Sequence, residues 1–247
     1  MDLTGQTALV TGSTSGIGKA IAQNLLNRGC FVIISSEQDL PEETVLSRFE
    51  NAENAAYVKC DISKKSDIET AVRHIKNNFT RLDYLVCNAG VMPKPCGIDD
   101  ITDDVIDSTI NVNLKGTFWT LKLFGELIQT TASNGAIVSL TSVDGLIGEP
   151  FGVIYSATKA AIISLTKSFA RHYKSPLVRV NAVAPGLIDT PLTATTGEDP
   201  AATTDFSIIE RMGTPQEIAE TVLFLLSEQS SFTTGQIIAV DGGFTLK

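Results

Sequence analysis

Tyr155 and Lys159 stand four residues apart in the run Tyr155-Ser156-Ala157-Thr158-Lys159. On a helix, positions i and i+4 share one face, one turn apart. A free tyrosine has a pKa of about 10 and is a poor base near neutrality. A neighbouring ammonium favours its phenolate, and lowering the pKa by about 2–3 corresponds to about 3–4 kcal/mol, a reasonable demand on cations in a partly dry site. Such a pair can pass a proton to or from a substrate oxygen, with Tyr155 as general acid or base. Ser142, thirteen residues upstream, can donate to the same oxygen. Alone, a Y-x-x-x-K pair is ordinarily a surface feature of a helix, and a serine after a strand is ordinarily a cap. Other chemistries are poorly provided for. His74 and His172 lie on separate helical stretches with no H-x-x-x-H spacing, which argues against a histidine metal centre or triad. Cys30, Cys60, Cys87 and Cys96 form no C-x-x-C pair, and three lie in or beside apolar runs, so they read as reduced, mostly buried thiols. No metal ligands are assigned.

The elements that must position these groups alternate regularly. Short runs rich in Val and Ile mark strands at Thr7–Val10, Phe31–Ser35, Ala56–Lys59, Tyr84–Cys87, Ala136–Leu140, Arg179–Val183 and Ile237–Val240. Their near-continuous apolarity is that of strands covered on both faces. Between them, Ile17, Ala20, Ile21 and Leu25 fall on one helical face, as do Ile68, Ala71, Val72 and Ile75. Thr214 followed by Pro215 predicts a capped helix start. Strand and helix alternating in this way predict an α/β fold, a Rossmann-type doubly wound parallel sheet of about seven strands with helices on both faces. The 247 residues, without a Pro/Gly/Ser linker, read as one domain over 1–247. A Thr-rich stretch at 190–204 suggests a substrate lid within about 187–213. The chain carries 19 Lys and Arg against 28 Asp and Glu, a net charge of −9, which argues against a nucleic-acid partner. Its apolar runs are too short to span a membrane, and the N-terminus shows no signal peptide, so a cytoplasmic protein is expected.

Thr11-Gly12-Ser13-Thr14-Ser15-Gly16-Ile17-Gly18 joins the first strand to the first helix. Glycines there let the backbone approach a pyrophosphate, and the helix N-terminus supplies N–H groups and a positive dipole end. The spacing is G-x-x-x-G-x-G. This octet resembles the TGxxxGIG motif of the short-chain dehydrogenase/reductase family, and further family motifs follow in order. They are Asp61 after the third strand, Asn88-Ala89-Gly90 after the fourth, Asn113, Ser142, Tyr155 with Lys159, and Pro185-Gly186 after the sixth. The resemblance covers essentially the whole chain.

It implies an NAD(P)-dependent oxidoreductase that interconverts a secondary alcohol and a ketone by hydride transfer. Asn113, Ser142, Tyr155 and Lys159 would form the catalytic group, Lys159 also holding the nicotinamide ribose and Asn113 anchoring a water. Gly12, Gly16, Ile17 and Gly18 would cradle the pyrophosphate, Asp61 and Ile62 the adenine, and Asn88, Ala89 and Gly90 the neighbouring ribose. Pro185 and Gly186 border the nicotinamide, which Ile188 and Thr190 would contact. Cofactor choice turns on Ser15, Ser36 and Glu37. The basic residues common in NADP enzymes are missing, the NAD-type aspartate near Ser36 is missing too, and Glu37 would repel a 2′-phosphate, which favours NAD over NADP. Met92, Asp144, Phe151, Ile154, Leu187 and Leu192, with Ser142, are expected to line a partly hydrophobic substrate pocket. Possible chemistries include 3-oxoacyl reduction and small alcohol or sugar oxidation. The resemblance also implies a homotetramer. The alternative is a catalytically silent dinucleotide-binding regulatory subunit, against which the intact four-residue group argues.

Overall fold

The computed structural model describes residues 1–174, 177–194 and 207–246. Seven parallel strands form one sheet in the order β3-β2-β1-β4-β5-β6-β7. They are β1 Thr7–Thr11, β2 Phe31–Ser36, β3 Ala55–Lys59, β4 Tyr84–Cys87, β5 Gly135–Leu140, β6 Val178–Pro185 and β7 Ile237–Val240. All seven expected strands are present, and Pro185 closes β6 instead of following it. The strand order reverses between β1 and β4, and the strand ends on either side of that point open a crevice.

Alternation along each strand divides the core into two layers. Ala8, Val10, Val32, Ile34, Val86 and Val138 face one way, while Leu9, Ile33, Leu85 and Ile137 face the other. The first layer is closed by α1 (Gly16–Leu26) and by a late helix over Pro215–Leu226. The second is closed by α3 (Lys65–Asn78), α5 (Thr117–Thr131) and α7 (Val153–His172). The short helices are α2 (Glu42–Leu46), α4 (Asp103–Thr109), α6 (Asp144–Ile147) and α8 (Pro191–Ala194), so Pro215–Leu226 is α9. Between α4 and α5 the chain forms a π-helical segment over Ile110–Gly116.

α9 shows how local sequence and tertiary contact divide the labour at a helix's two ends. At its start, Thr214 Oγ1 accepts from Glu217 N at 3.3 Å, and Glu217 Oε2 accepts from Thr214 N at 2.8 Å, with Pro215 in the first turn. That reciprocal cap was legible in the sequence. The other end is satisfied from β6. Arg179 is 8% exposed and donates to the carbonyls of Leu225 (2.7 Å), Leu226 (3.0 Å) and Ser227 (3.0 Å), and to Ser230 Oγ (2.8 Å). A buried guanidinium is tolerated because it meets the negative end of the helix dipole and otherwise orphaned carbonyls. Arg179→Ala should therefore lower unfolding free energy by about 2–4 kcal/mol. Denaturant unfolding of the variant checks this; a loss under about 0.5 kcal/mol would show that the cap is dispensable.

Candidate active site

The glycine turn sits at the tip of β1, against the tip of β4. Gly12 has φ +63°, and a Cβ there would lie 2.8 Å from Ala89 Cα. Gly16 has φ +52°, and a Cβ on Gly18 would collide with Asn88 Nδ2 and Gly12 O. Only glycine fits this backbone without strain or displacement. The turn is held from the β4 side. Asn88 Nδ2 donates to Thr11 O at 2.9 Å and Gly12 O at 3.0 Å. Thr11 Oγ1 accepts from the N–H groups of Asn88 and Ala89, each at 3.1 Å. Asn88 and Ala89 thus shape the turn. Ser15 opens α1 in extended conformation with no side-chain cap and no acidic residue in the first turn. That is the arrangement of a helix N-terminus suited to an anion.

Further along the crevice, the end of β2 is closed by hydrogen bonds. Ser36 is 3% exposed; its hydroxyl lies 2.9 Å from Tyr57 Oη and accepts from Gln38 N at 3.3 Å. Tyr57 Oη donates to Gln38 O at 2.6 Å. Glu37 is exposed. Asp61 accepts from Ser63 N at 3.0 Å and Ser63 Oγ at 2.7 Å, and pairs with Lys64 at 3.1 Å. Burial raises its carboxyl pKa, but those donors outweigh burial and hold it below the usual carboxylate range. Ile62 packs its backbone against Gly116 of the π-helical segment.

The acid–base candidates converge at the carboxyl ends of β5 and β6. A cavity of about 490 Å³ there is lined by Ser142, Tyr155 and Lys159, with Ile17, Asn88, Pro185, Gly186, Ile188 and Thr190 on its cofactor side. Thr190 lies against Gly16, so the segment after β6 reaches the glycine turn. Of the expected pocket residues, Met92, Asp144, Phe151, Leu187 and Leu192 also line this cavity. Ile154 does not. On α7, Tyr155 and Lys159 take the face turned to the cavity, and Ile154 lies one residue round the helix from it. Pro95, Glu149 and Phe244 do line it, though no local pattern marks them. The part of the expected lid at 195–206 lies outside the described residues.

Tyr155 and Lys159 sit in the first two turns of α7 and are 8% and 5% exposed. Lys159 Nζ donates to Leu140 O at 3.1 Å and lies 5.5 Å from the centre of the Tyr155 ring. Ser142 is hydrogen-bonded to Tyr155, and its Oγ accepts from Asp144 N at 3.1 Å. The helix is locked onto the strand end by Thr141 Oγ1, which donates to Lys159 O at 2.7 Å. It is also locked by Gly145, where a Cβ would lie 2.7 Å from Lys159 C. Asn113, 1% exposed in the π-helical segment, donates through Nδ2 to Val91 O (2.8 Å) and Thr158 Oγ1 (3.2 Å), and accepts from Val91 N at 2.8 Å. It therefore ties the chain after β4 to α7. Gly90 fits between: a Cβ there would lie 3.2 Å from Asn113 Oδ1 and 3.5 Å from Lys159 Nζ. No role of their own is legible in the sequence for Thr11, Thr141 and Thr158.

The sequence suggests a phenolate favoured by Lys159 together with a positively charged nicotinamide, and without that cofactor the balance lies the other way. In the structure, burial pushes the Tyr155 hydroxyl well above its ordinary value and the Asp144 carboxylate raises it further, with the Ser142 hydrogen bond opposing. Burial brings Lys159 down to about 8, partly offset by Asp144. Desolvation dominates both groups, so without cofactor Tyr155 is held as the neutral phenol. Cys30, Cys60 and Cys87 are buried, and burial pushes each thiol up to about 12, which leaves them unreactive.

Comparison with known proteins agrees with this geometry. Residues 12–245 match the family model described as enoyl-(acyl carrier protein) reductase. The chain is 36% identical over 252 residues to a 3-oxoacyl-(acyl-carrier-protein) reductase of Thermotoga maritima, covering 100% of both. It is 35% identical to cis-4-hydroxycyclohexanecarboxylate dehydrogenase of Sinomonas cyclohexanicum, covering 96% of each. Among solved structures, a 3-ketoacyl-(acyl-carrier-protein) reductase of Brucella melitensis complexed with NADH superposes with a TM-score of 0.92 at 30% identity, over 99% of this chain and 100% of that one. ElxO with NADP bound gives a TM-score of 0.92 at 30% identity, over 98% and 99%. With its glycine turn, its seven-stranded sheet and its tyrosine–lysine pair in place, the chain belongs to the short-chain dehydrogenase/reductase family of NAD(P)-dependent oxidoreductases.

Proposed function

We propose that this oxidoreductase interconverts a secondary alcohol and a ketone with Tyr155 as the proton-transferring group, Ser142 and Lys159 as its partners, and NAD as the preferred cofactor. The observation that carries the reading is the convergence of Ser142, Tyr155 and Lys159 on one cavity that Ile17, at the start of α1, and the segment after β6 also line, with Thr190 of that segment against Gly16. Gly12, Gly16, Ile17 and Gly18 would hold the pyrophosphate at the uncapped start of α1, with Asp61, Ile62 and Ala89 towards the adenosine and Pro185, Gly186, Ile188 and Thr190 towards the nicotinamide. When bound, the nicotinamide supplies or accepts the hydride and, in its oxidised form, places a positive charge in the site.

The chain's own residues handle the proton. Tyr155, held as a phenol, gives its proton to a ketone oxygen that Ser142 also donates to, and takes it back from the alcohol in the opposite direction. Lys159 offers an ammonium that stabilises the phenolate left behind. Its pKa near 8 lets it remain mostly charged at neutrality. Asn113 acts at one remove, by setting Val91 and Thr158 around the lysine. The regulatory alternative has no support in the geometry, since Ser142, Tyr155 and Lys159 are assembled on one cavity with Asn113 packed behind them.

The NAD preference rests on the closing of the β2 end. Cations near it are already engaged: Lys59 with Asp39 at 2.9 Å and Lys64 with Asp61 at 3.1 Å. Lys19 lies 5.7 Å from the centre of the Phe49 ring. Exposed Glu37 adds a negative charge where a 2′-phosphate would bind. We place the protein in the cytoplasm as a homotetramer. Its acidity, the lack among the described residues of a helix long and apolar enough to cross a membrane, and the exposed Phe224, Phe232 and Leu246 near the C-terminus support that reading.

Three outcomes test it. Tyr155→Phe should lower kcat by about 100-fold or more while NADH binding, read by nucleotide fluorescence, is retained; near-normal turnover would refute the role. NADH should bind at least about tenfold more tightly than NADPH, the equivalent of 1.4 kcal/mol, and Glu37→Lys should narrow that ratio; equal affinities in the unaltered protein would remove the preference. Light scattering should return four times the chain mass of 26.4 kDa, and a monomer would exclude the tetramer.

A further inference from the structure

The charged side chains that line the cavity are, among the described residues, Lys159, Asp144 and Glu149. The lysine ammonium is committed to Leu140 O and the Tyr155 ring, next to the reacting oxygen. Both remaining charges are negative, and they stand on opposite ends of one connection. Asp144 opens α6 with its backbone N–H on Ser142 Oγ, and its carboxylate is close enough to act on both Tyr155 and Lys159. Glu149 follows α6, and its Oε1 accepts from Phe151 N at 3.2 Å, which fixes the carboxylate on the loop that carries Phe151 into the lining. Both residues are half-buried. The surfaces between them are apolar, from Met92, Pro93, Pro95, Val143, Phe151 and Leu192.

Apart from Lys159, no cation among the described residues that line the cavity offsets this pair. Lys94 stands between two lining prolines but is itself exposed and not part of the lining. Arg211 is engaged with Glu217 at 2.7 Å. An anion carried into the cavity would lose its hydration against apolar walls and meet two carboxylates in a medium where charges are poorly screened. An uncharged group would meet neither penalty, and a cation would find partners.

We propose that this cavity selects against anionic substrates and takes uncharged or cationic, largely apolar secondary alcohols and ketones, with Asp144 and Glu149 as the specificity-determining residues. The inference rests on the alcohol–ketone reading above. It bears on the part of a substrate that enters the cavity, and it separates this chain from a relative named for a hydroxycyclohexanecarboxylate.

The test uses three ring alcohols of similar shape: 4-hydroxycyclohexanecarboxylate, its carboxamide, and 4-aminocyclohexanol. We expect kcat/KM for the carboxamide and the amine to exceed that for the carboxylate by at least about tenfold. The double variant Asp144→Asn, Glu149→Gln keeps the side-chain shapes and should shrink that ratio by about tenfold. Displacement of each compound from the NADH complex, read by nucleotide fluorescence, should give the same order without turnover. A carboxylate handled as well as the carboxamide, or a ratio unchanged in the double variant, would overturn the inference. Ordered binding of the three compounds with no turnover of any alcohol or ketone, by contrast, would uphold the selectivity and refute the reaction assignment.

Discussion

The crevice depends on one contact, that between the tips of β1 and β4. Asn88 donates to Thr11 through both its backbone and its side-chain amide where strand order reverses, and its side chain reaches on to the carbonyl of Gly12. The positive φ of Gly12 and its approach to Ala89 are possible because these donors satisfy the turn's carbonyls while the chain doubles back into α1. From there α1 runs along the sheet to Asn24, which donates to Glu220 at 3.2 Å and accepts from Gln216 at 2.7 Å on α9. Loosening the β1–β4 clamp would move the uncapped start of α1 and the helix layer behind it together.

A second fixed point serves the proton chemistry. Thr141 and Gly145 bind the β5 end to the backbone of α7 at Lys159, and Asn113 binds α7 to the chain after β4. Tyr155 and Lys159 therefore take their positions from four elements, not from a helix surface alone. This is why the pair is buried. The same spacing on an outward face would be solvated and chemically ordinary.

Much of this was legible in the sequence because burial on both faces leaves a continuous apolar signature. The five inner strands carry it in full, the half-buried edge strands β3 and β7 keep an apolar run, and the glycine turn, Ser142 and the tyrosine–lysine pair stand at strand ends where such groups are positioned. What was not legible came from long-range packing. A π-helical turn has nearly the apolar pattern of an α-helix, so Ile110–Gly116 gave no warning, although it aims Asn113 at Val91. Glu149, Pro95 and Phe244 line the cavity through the meeting of distant loops. Ile154 was misplaced because adjacency to Tyr155 in sequence is a rotation away from it on a helix. The protonation of Tyr155 in the cofactor-free site was hidden for a related reason: spacing reveals the neighbouring ammonium, but only the packed structure reveals how much water both groups lose.

That desolvation links stability to function. Lys159 has an ordinary value of 10.5 when exposed and about 8 in the fold. Between those two values the unfolded chain holds a proton that the folded chain has released, so this group makes the fold more stable as pH rises through the window. Below about 8 both states are protonated, and keeping a buried ammonium costs about 3 kcal/mol relative to an exposed one. Asp144 works against that penalty by raising the lysine's affinity for its proton, and by the same field it holds Tyr155 in the acid form. One carboxylate therefore helps to keep the lysine charged, the tyrosine protonated and the cavity unfavourable to anions. These effects share one sign of charge at one position, so no neutral side chain there would retain all three.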